Sequence, residues 1–278
     1  MNATVIIRRF KESDELLLDA LESLRLQVEI ELQVVVQDHE QAPAIAAWVL
    51  RQAEGRVRFE YEVFAETSLS RCRNRGVARA QHDFVLFSEP DALPEPRWAK
   101  ALSEVLASGA SIAGSCIMPV WKGHTPYWTR VGFVREQYSL LDLGPGTLEV
   151  SKVFGASFGL DRRRVPTTPA GEIFSSSMGR RGGRLFGGEE TDLCARVRAN
   201  GGRVVYTGQV RVGHQVLPER LSYAWIARRF YYAGRGRAQR GGAPNPAGRV
   251  AFADLLFSLP LLPWYVVGVF RERLTRRR

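Results

Sequence analysis

Two acidic clusters and one arginine-rich stretch in this 278-residue sequence bring together side chains suited to acid–base and ligand-binding chemistry. The first cluster is Glu89 and Asp91, two residues apart around Pro90 and directly after the apolar run Phe84–Phe87. If the backbone stays extended there, alternate side chains share a face. The pair then offers hard oxygens to a divalent cation such as Mg2+ or Mn2+; the plainer role is a solvated turn shaped by Pro90. The second cluster is Glu189, Glu190 and Asp192, opening a stretch that ends at Asn200-Gly201-Gly202. Acids in that place complement the positive end of a helix. Ahead of both lies Arg71-Cys72-Arg73-Asn74-Arg75. The planar guanidinium of an arginine such as Arg73 suits bidentate contact with phosphate, whereas Arg71 and Arg75 read as solvated helix charges. Asp38 follows the run Leu32–Val36, and His214 follows Val210-Arg211-Val212-Gly213. A strand-end turn for the one and a structural role for the other are the plain alternatives to ligand binding.

The elements that must position these groups alternate between strand and helix. Thr4–Ile7, Leu32–Val36, Val57–Val63 and Phe84–Phe87 are short apolar or alternating runs that fit strands. Between them, Ser13–Leu26, Pro43–Ala53 and Ser70–Ala80 read as helices, with Ser13 a candidate N-cap and Pro43 at a first helical position. A helix over Pro94–Leu106 follows, then a strand over Ile112–Pro119, an irregular aromatic stretch over 121–150, a Gly/Ser/Arg-rich loop over Thr167–Gly188, a helix over Glu190–Ala199 and a strand over Arg203–Tyr206. Such alternation predicts an α/β fold with a mostly parallel sheet flanked by helices. Ligands of such sheets sit beyond the carboxyl ends of strands, where Asp38, Glu89 and Asp91 fall. The segment Val153–Gly159 includes Gly155 and Ala156, small residues that let another backbone or a ligand approach closely.

Charge divides the chain. From Thr207 onward there are 13 arginines, no lysine and three acids, which accounts for the whole net charge of +10. The first 206 residues are neutral. A neutral body with a basic end argues for contact with an anionic surface and against nucleic acid, for which no motif is readable. Residues 250–270 are almost wholly apolar and lie between Arg249 and Arg271, but Asp254, Pro260 and Pro263 argue against a simple span. Packing on the body, or on a second copy as a homodimer, is the alternative to an interfacial membrane helix. The chain divides on this reading into residues 1–215 and a helical, apolar and basic segment 216–278. Three unpaired cysteines and a start directly in a strand-like run predict a cytoplasmic protein, peripheral on the inner face of the membrane.

Four stretches in order resemble the family-2 glycosyltransferases of the GT-A fold. They are the opening strand with Phe10-Lys11-Glu12; Leu69-Ser70-Arg71-Cys72-Arg73-Asn74-Arg75-Gly76; Phe87-Ser88-Glu89-Pro90-Asp91 with Trp98 after it; and Gly188-Glu189-Glu190-Thr191-Asp192-Leu193 followed by a strand and His214. Glu89 stands where the family has an aspartate, and so does Glu190. The resemblance implies a GT-A-like domain that moves a sugar, with inversion, from a UDP- or GDP-linked donor to a glycan or lipid-linked hydroxyl. It implies Glu190 as general base, with Glu189 or Asp192 as substitutes. Asp38, Arg73, Asn74, Glu89, Asp91, Gly155 and Ala156 would hold the donor, and Asp91, Glu89 and His214 the metal. A catalytically weak nucleotide-sugar-binding module is the alternative.

Overall fold

In the computed structural model the chain is described over residues 1–52, 54–179, 185–239 and 260–275. Its first half is a run of strand and helix: β1 (Asn2–Arg9), α1 (Asp14–Arg25), β2 (Glu31–Asp38), α2 (Pro43–Leu50), β3 (Val57–Val63), α3 (Leu69–Arg79) and β4 (Phe84–Ser88). Val5 to Ile7 and Val34 to Val36 are buried without alternation, because helices cover both faces of these strands. Ser13 caps α1 as its side chain accepts from the Leu16 amide.

The second half comprises β5 (Ala92–Pro94), α4 (Trp98–Ala107), β6 (Ile112–Trp121), α5 (Gly132–Arg135), β7 (Thr147–Glu149), β8 (Ser157–Asp161), α6 (Glu189–Ala199), β9 (Val204–Val216), α7 (Tyr223–Gln239) and α8 (Leu262–Thr275). The strands form one sheet in the order β3-β2-β1-β4-β8-β6-β9-β5, with β7 also on β9. Strands β3, β2, β1 and β4 pair in parallel. Strand β8 runs against both β4 and β6, and β9 pairs in parallel with β6. The expected majority direction holds, with β5, β7 and β8 opposing it. No helix begins at Pro94. Its backbone instead pairs with Val212 as part of β5, and α4 starts only at Trp98, past the second proline of Pro94-Glu95-Pro96. The β5–β9 pairing matters for function, because it sets Ala92 beside His214.

Residues after 215 do not form a separate packing unit. Ile226, Ala227 and Phe230 of α7, with Tyr265 and Val269 of α8, belong to the same apolar core as the sheet. The two helices touch backbone to backbone: a Cβ on Gly234 would lie 2.1 Å from the Tyr265 carbonyl oxygen, and one on Gly268 would lie 2.0 Å from that of Tyr231. Arg235 and Gln239 donate to the buried Glu272 carboxylate. The outer side of α8 carries Trp264, Val267, Phe270 and Leu274, which are 46, 51, 56 and 65% exposed. Arg271 and Arg273 lie exposed beside them. Among the described residues no helix is long and apolar enough to cross a membrane. Residues 250–259 of the 250–270 run lie outside the described residues, as do residues 180–184 of the expected loop.

Candidate active site

The turn between β4 and β5 carries Glu89 and Asp91, and β5 pairing brings His214 against them. One ligand atom from each of the three lies within 4.8 Å of the other two. His214 is fully buried, with Nε2 at 3.2 Å from Asp91 Oδ1 and 3.8 Å from Glu89 Oε2. Its Nδ1 lies 2.8 Å from the Tyr138 carbonyl oxygen. A carbonyl can only accept, so Nδ1 carries a proton toward it and Nε2 is the ring atom that faces the two carboxylates. Burial alone would lower the His214 pKa, but the charge and hydrogen bond of Asp91, with Glu89 behind it, raise it overall. Two carboxylates and one imidazole, with a backbone acceptor fixing the tautomer, fit a divalent cation.

Asp91 has a further partner that no sequence pattern announced. Arg220, on the short turn Pro218–Leu221 after β9, places Nη1 2.8 Å from Asp91 Oδ2. The remaining oxygen, Oδ1, is the one that meets His214.

Across the same cleft stands the first turn of α6. Glu189 is 2% exposed and pairs with Arg73, Nη1 to Oε1 at 2.9 Å. Glu190 lines an open cavity of about 140 Å3 together with Glu89, Lys152, Phe154 and, from α7, Arg229 and Ala233. Glu190 Oε2 is 3.8 Å from Arg73 Nη1, and among the described residues it has no hydrogen-bond donor. A buried carboxylate oxygen with unused acceptor capacity can take a proton from a hydroxyl brought to it.

Gly155 lies where these groups converge. A Cβ there would be 2.6 Å from Glu89 Oε1, 2.8 Å from Arg73 Nη2 and 3.2 Å from Glu190 Oε1. A Cβ at this residue would crowd the ends of three charged side chains, so glycine leaves them room to approach one another. Ala156 is fully buried in the core behind it.

Four expected site residues, three donor ligands and one substitute base, have partners within the protein. Both Asp38 oxygens are taken by Arg9, from Nε at 2.9 Å and Nη2 at 2.7 Å, and Tyr61 donates to Oδ2 at 2.9 Å. Asp38 is thus a saturated buried carboxylate rather than an open acceptor. Asn74 clamps a backbone: its Nδ2 donates to the Phe174 carbonyl at 2.7 Å, and its Oδ1 accepts from the Phe174 amide at 2.9 Å. Asp192 pairs with Arg196 one turn along α6 and does not line the cavity. Arg73 is 4% exposed and faces Glu189 inside a ring of phenylalanines. The three cysteines are buried, and burial pushes the Cys194 thiol up to about 12, so none is poised as a nucleophile.

Comparison with known proteins bears on this geometry. The model of the family described as Glycosyl transferase family 2 matches residues 4–165. A glucosyl-dolichyl phosphate glucuronosyltransferase of Haloferax volcanii is 26% identical over 174 residues, covering 60% of this chain and 53% of the relative. The succinoglycan biosynthesis protein ExoM of Rhizobium meliloti is 24% identical over 251 residues, covering 85% of this chain and 75% of the relative. The chain thus spans about half the length of the archaeal relative and three quarters of the rhizobial one. In fold, it resembles the mannosyltransferase PcManGT of Pyrobaculum calidifontis, solved with GDP-Man and Mn2+, at a TM-score of 0.60 and 16% identity over 98% of this chain and 72% of that one. It also resembles GalNAc-T7, solved with UDP, GalNAc and Mn2+, at a TM-score of 0.57 and 12% identity over 99% of this chain and 57% of that one.

Proposed function

Because the chain belongs to glycosyl transferase family 2, we propose that it moves a sugar from a nucleoside-diphosphate donor to a hydroxyl acceptor, with inversion at the anomeric carbon. The observation that carries this reading is that Glu89, one member of the Glu89–Asp91–His214 group, and Glu190 come together at Gly155. Glu89, Asp91 and His214 would hold a Mg2+ or Mn2+ ion, which supplies positive charge for the departing diphosphate. Glu190 accepts the proton of the acceptor hydroxyl. The acceptor oxygen bonds to the anomeric carbon as the bond to the diphosphate oxygen breaks, and the electron pair leaves with the diphosphate. A single displacement by an external oxygen inverts the centre. Glu189 is committed to Arg73, which favours Glu190 as the base.

The donor is UDP- or GDP-linked on this proposal, in line with the nucleotides held by the two structural neighbours. The acceptor is a glycan or a lipid-linked sugar, in line with the dolichyl-phosphate-linked substrate in the name of the archaeal relative. We assign the exposed apolar side of α8, with its arginines, to an anionic membrane surface, which makes the protein peripheral on the cytoplasmic face. Incubating the chain with a panel of sugar nucleotides, a short lipid-phosphate sugar acceptor and Mn2+ tests the central reading. Transfer that stops on chelation is the expected outcome. Donor binding without transfer across a broad acceptor panel would instead make the chain a nucleotide-sugar-binding module.

A further inference from the structure

Arg73 has the side chain of a phosphate ligand but not the setting of one. Its guanidinium is buried, with its carbon 5.7 Å from the ring centre of Phe87, 5.2 Å from Phe158 and 5.5 Å from Phe174. These rings come from β4, from β8 and from the segment before α6. Phe87 and Phe158 stack on each other at 4.6 Å, and Phe174 stands edge-on to Phe87 at 5.3 Å. Phe174 is itself fixed by the double hydrogen bond to Asn74, the next residue along α3. One helix therefore supplies both the cation and the clamp that closes the cage around it.

From inside this cage Arg73 reaches the acids of α6, and its Nη2 lies 2.8 Å from where a Cβ on Gly155 would stand. Nη1 lies 2.9 Å from Glu189 Oε1 and 3.8 Å from Glu190 Oε2. Glu189 and Glu190 are neighbours on the first turn of α6, so they project about 100° apart, following the 3.6-residue helical turn. Pinning one to a buried cation fixes the rotation of the turn and therefore the direction of the other. The helix start needs such a pin, because its N-cap is Gly188, at φ 109 and with no side-chain cap. A desolvated guanidinium and a desolvated carboxylate hold each other strongly, since removing either leaves an unpaired buried charge.

We propose that Arg73 is a positioning residue that aims the Glu190 carboxylate into the cavity through Glu189, and that it is not a ligand of the donor diphosphate. This rests on the reading of Glu190 as the base. The aromatic cage keeps the guanidinium fixed in plane and direction, which a lysine ammonium on a flexible stem would not reproduce.

The test separates chemistry from donor binding. Arg73→Lys, Arg73→Met and Glu189→Gln are compared with the parent chain for kcat at saturating donor and, by calorimetry, for Kd of UDP and of GDP with Mn2+. We expect kcat to fall at least tenfold in all three and less in Arg73→Lys than in Arg73→Met, while Kd for the nucleotide that binds stays within about twofold. Glu189→Gln never removes the arginine, so it carries the test should both Arg73 variants fail to fold. A tenfold rise in Kd with kcat retained in Arg73→Lys would make Arg73 a phosphate ligand and overturn the proposal, as would parental kcat in Glu189→Gln. Glu190→Gln is run alongside. If that variant keeps parental turnover, it is the assignment of the base that fails, whatever the Arg73 series gives.

Discussion

At the scale of single residues, the metal group is legible in the sequence and the acid-positioning group is not. Glu89 and Asp91 sit two apart after a buried strand, and that spacing already suggests paired oxygens. Asp91→Ala should abolish the metal dependence of nucleoside-diphosphate binding, because it removes the oxygen nearest His214 and leaves Arg220 unpaired. Calorimetry with UDP or GDP, with and without Mn2+, reads this directly; a variant whose affinity still responds to Mn2+ as the parent does would remove Asp91 from the cation site. Glu190→Gln keeps shape and loses basicity, so kcat should drop by roughly 10²-fold or more while donor Kd stays near parental, in line with typical general-base contributions. Near-parental turnover would send the proton elsewhere. The partners of Arg73 and Asp38 were hidden for a physical reason. Glu189 is 116 positions from Arg73, and Arg9 is 29 from Asp38. No local pattern encodes a pairing that only the closed sheet creates, and a sequence cannot say whether an arginine will meet a phosphate or another side chain.

At the scale of elements, the first half of the chain reads well because its signals are local. Apolar runs, the Ser13 cap and Pro43 at the start of α2 sit within a few residues of the structure they determine. Strand β5 was missed because three residues with a proline carry too little pattern, and its pairing with β9 is what brings His214 to the cation site. The packing of α7 between the cavity and α8 is not readable for a different reason. Arg229 and Ala233 face the cavity, while Tyr231 and Gly234 meet α8. Stepping 100° per residue, these pairs fall on nearly opposite sides of the helix. The helix is therefore a wall with the active site on one side and α8 on the other. Gly268→Val should force the helices apart, since the added atoms would collide with the Tyr231 carbonyl. A cost of about 1–3 kcal/mol is usual for such overpacking, equivalent to a fall in melting midpoint of roughly 2–12 °C for a protein near this size. Scanning calorimetry measures the midpoint, and acceptor KM should rise with the disturbed wall. A variant that melts with the parent would mean that the two helices do not press together in solution.

At the scale of the whole molecule, the sequence showed a neutral body and a basic, apolar end, and the structure shows how the two are joined. The end is not a tail that can be removed freely, because α7 and α8 share the core of the sheet. What stays outside is the α8 stripe of Trp264, Val267, Phe270 and Leu274. Insertion of those side chains and pairing of arginines with anionic lipid should add, the second at about 1 kcal/mol per residue near the surface and weakened by salt. The full chain is expected to sediment with phosphatidylserine-containing vesicles, less so at high salt, and Phe270→Glu should release it without changing donor binding. If the chain ignores vesicles and Phe270→Glu instead converts a dimer to monomers in sedimentation velocity, the stripe is an interface between copies.

The Asn74 clamp has a consequence that can be timed. The Phe174 amide donates to the Asn74 side chain, and its ring sits fully buried against the Arg73 cage. Its proton can exchange with deuterium only when that clamp opens, so the exchange rate of this one amide counts how often the cage behind Glu189 and Glu190 opens. Where opening requires the cage to come apart, Phe174 should exchange as slowly as the amides of β4. Where the segment before α6 lifts by itself, it should exchange far faster, and Arg73 would spend a measurable fraction of each second with one wall of its cage open.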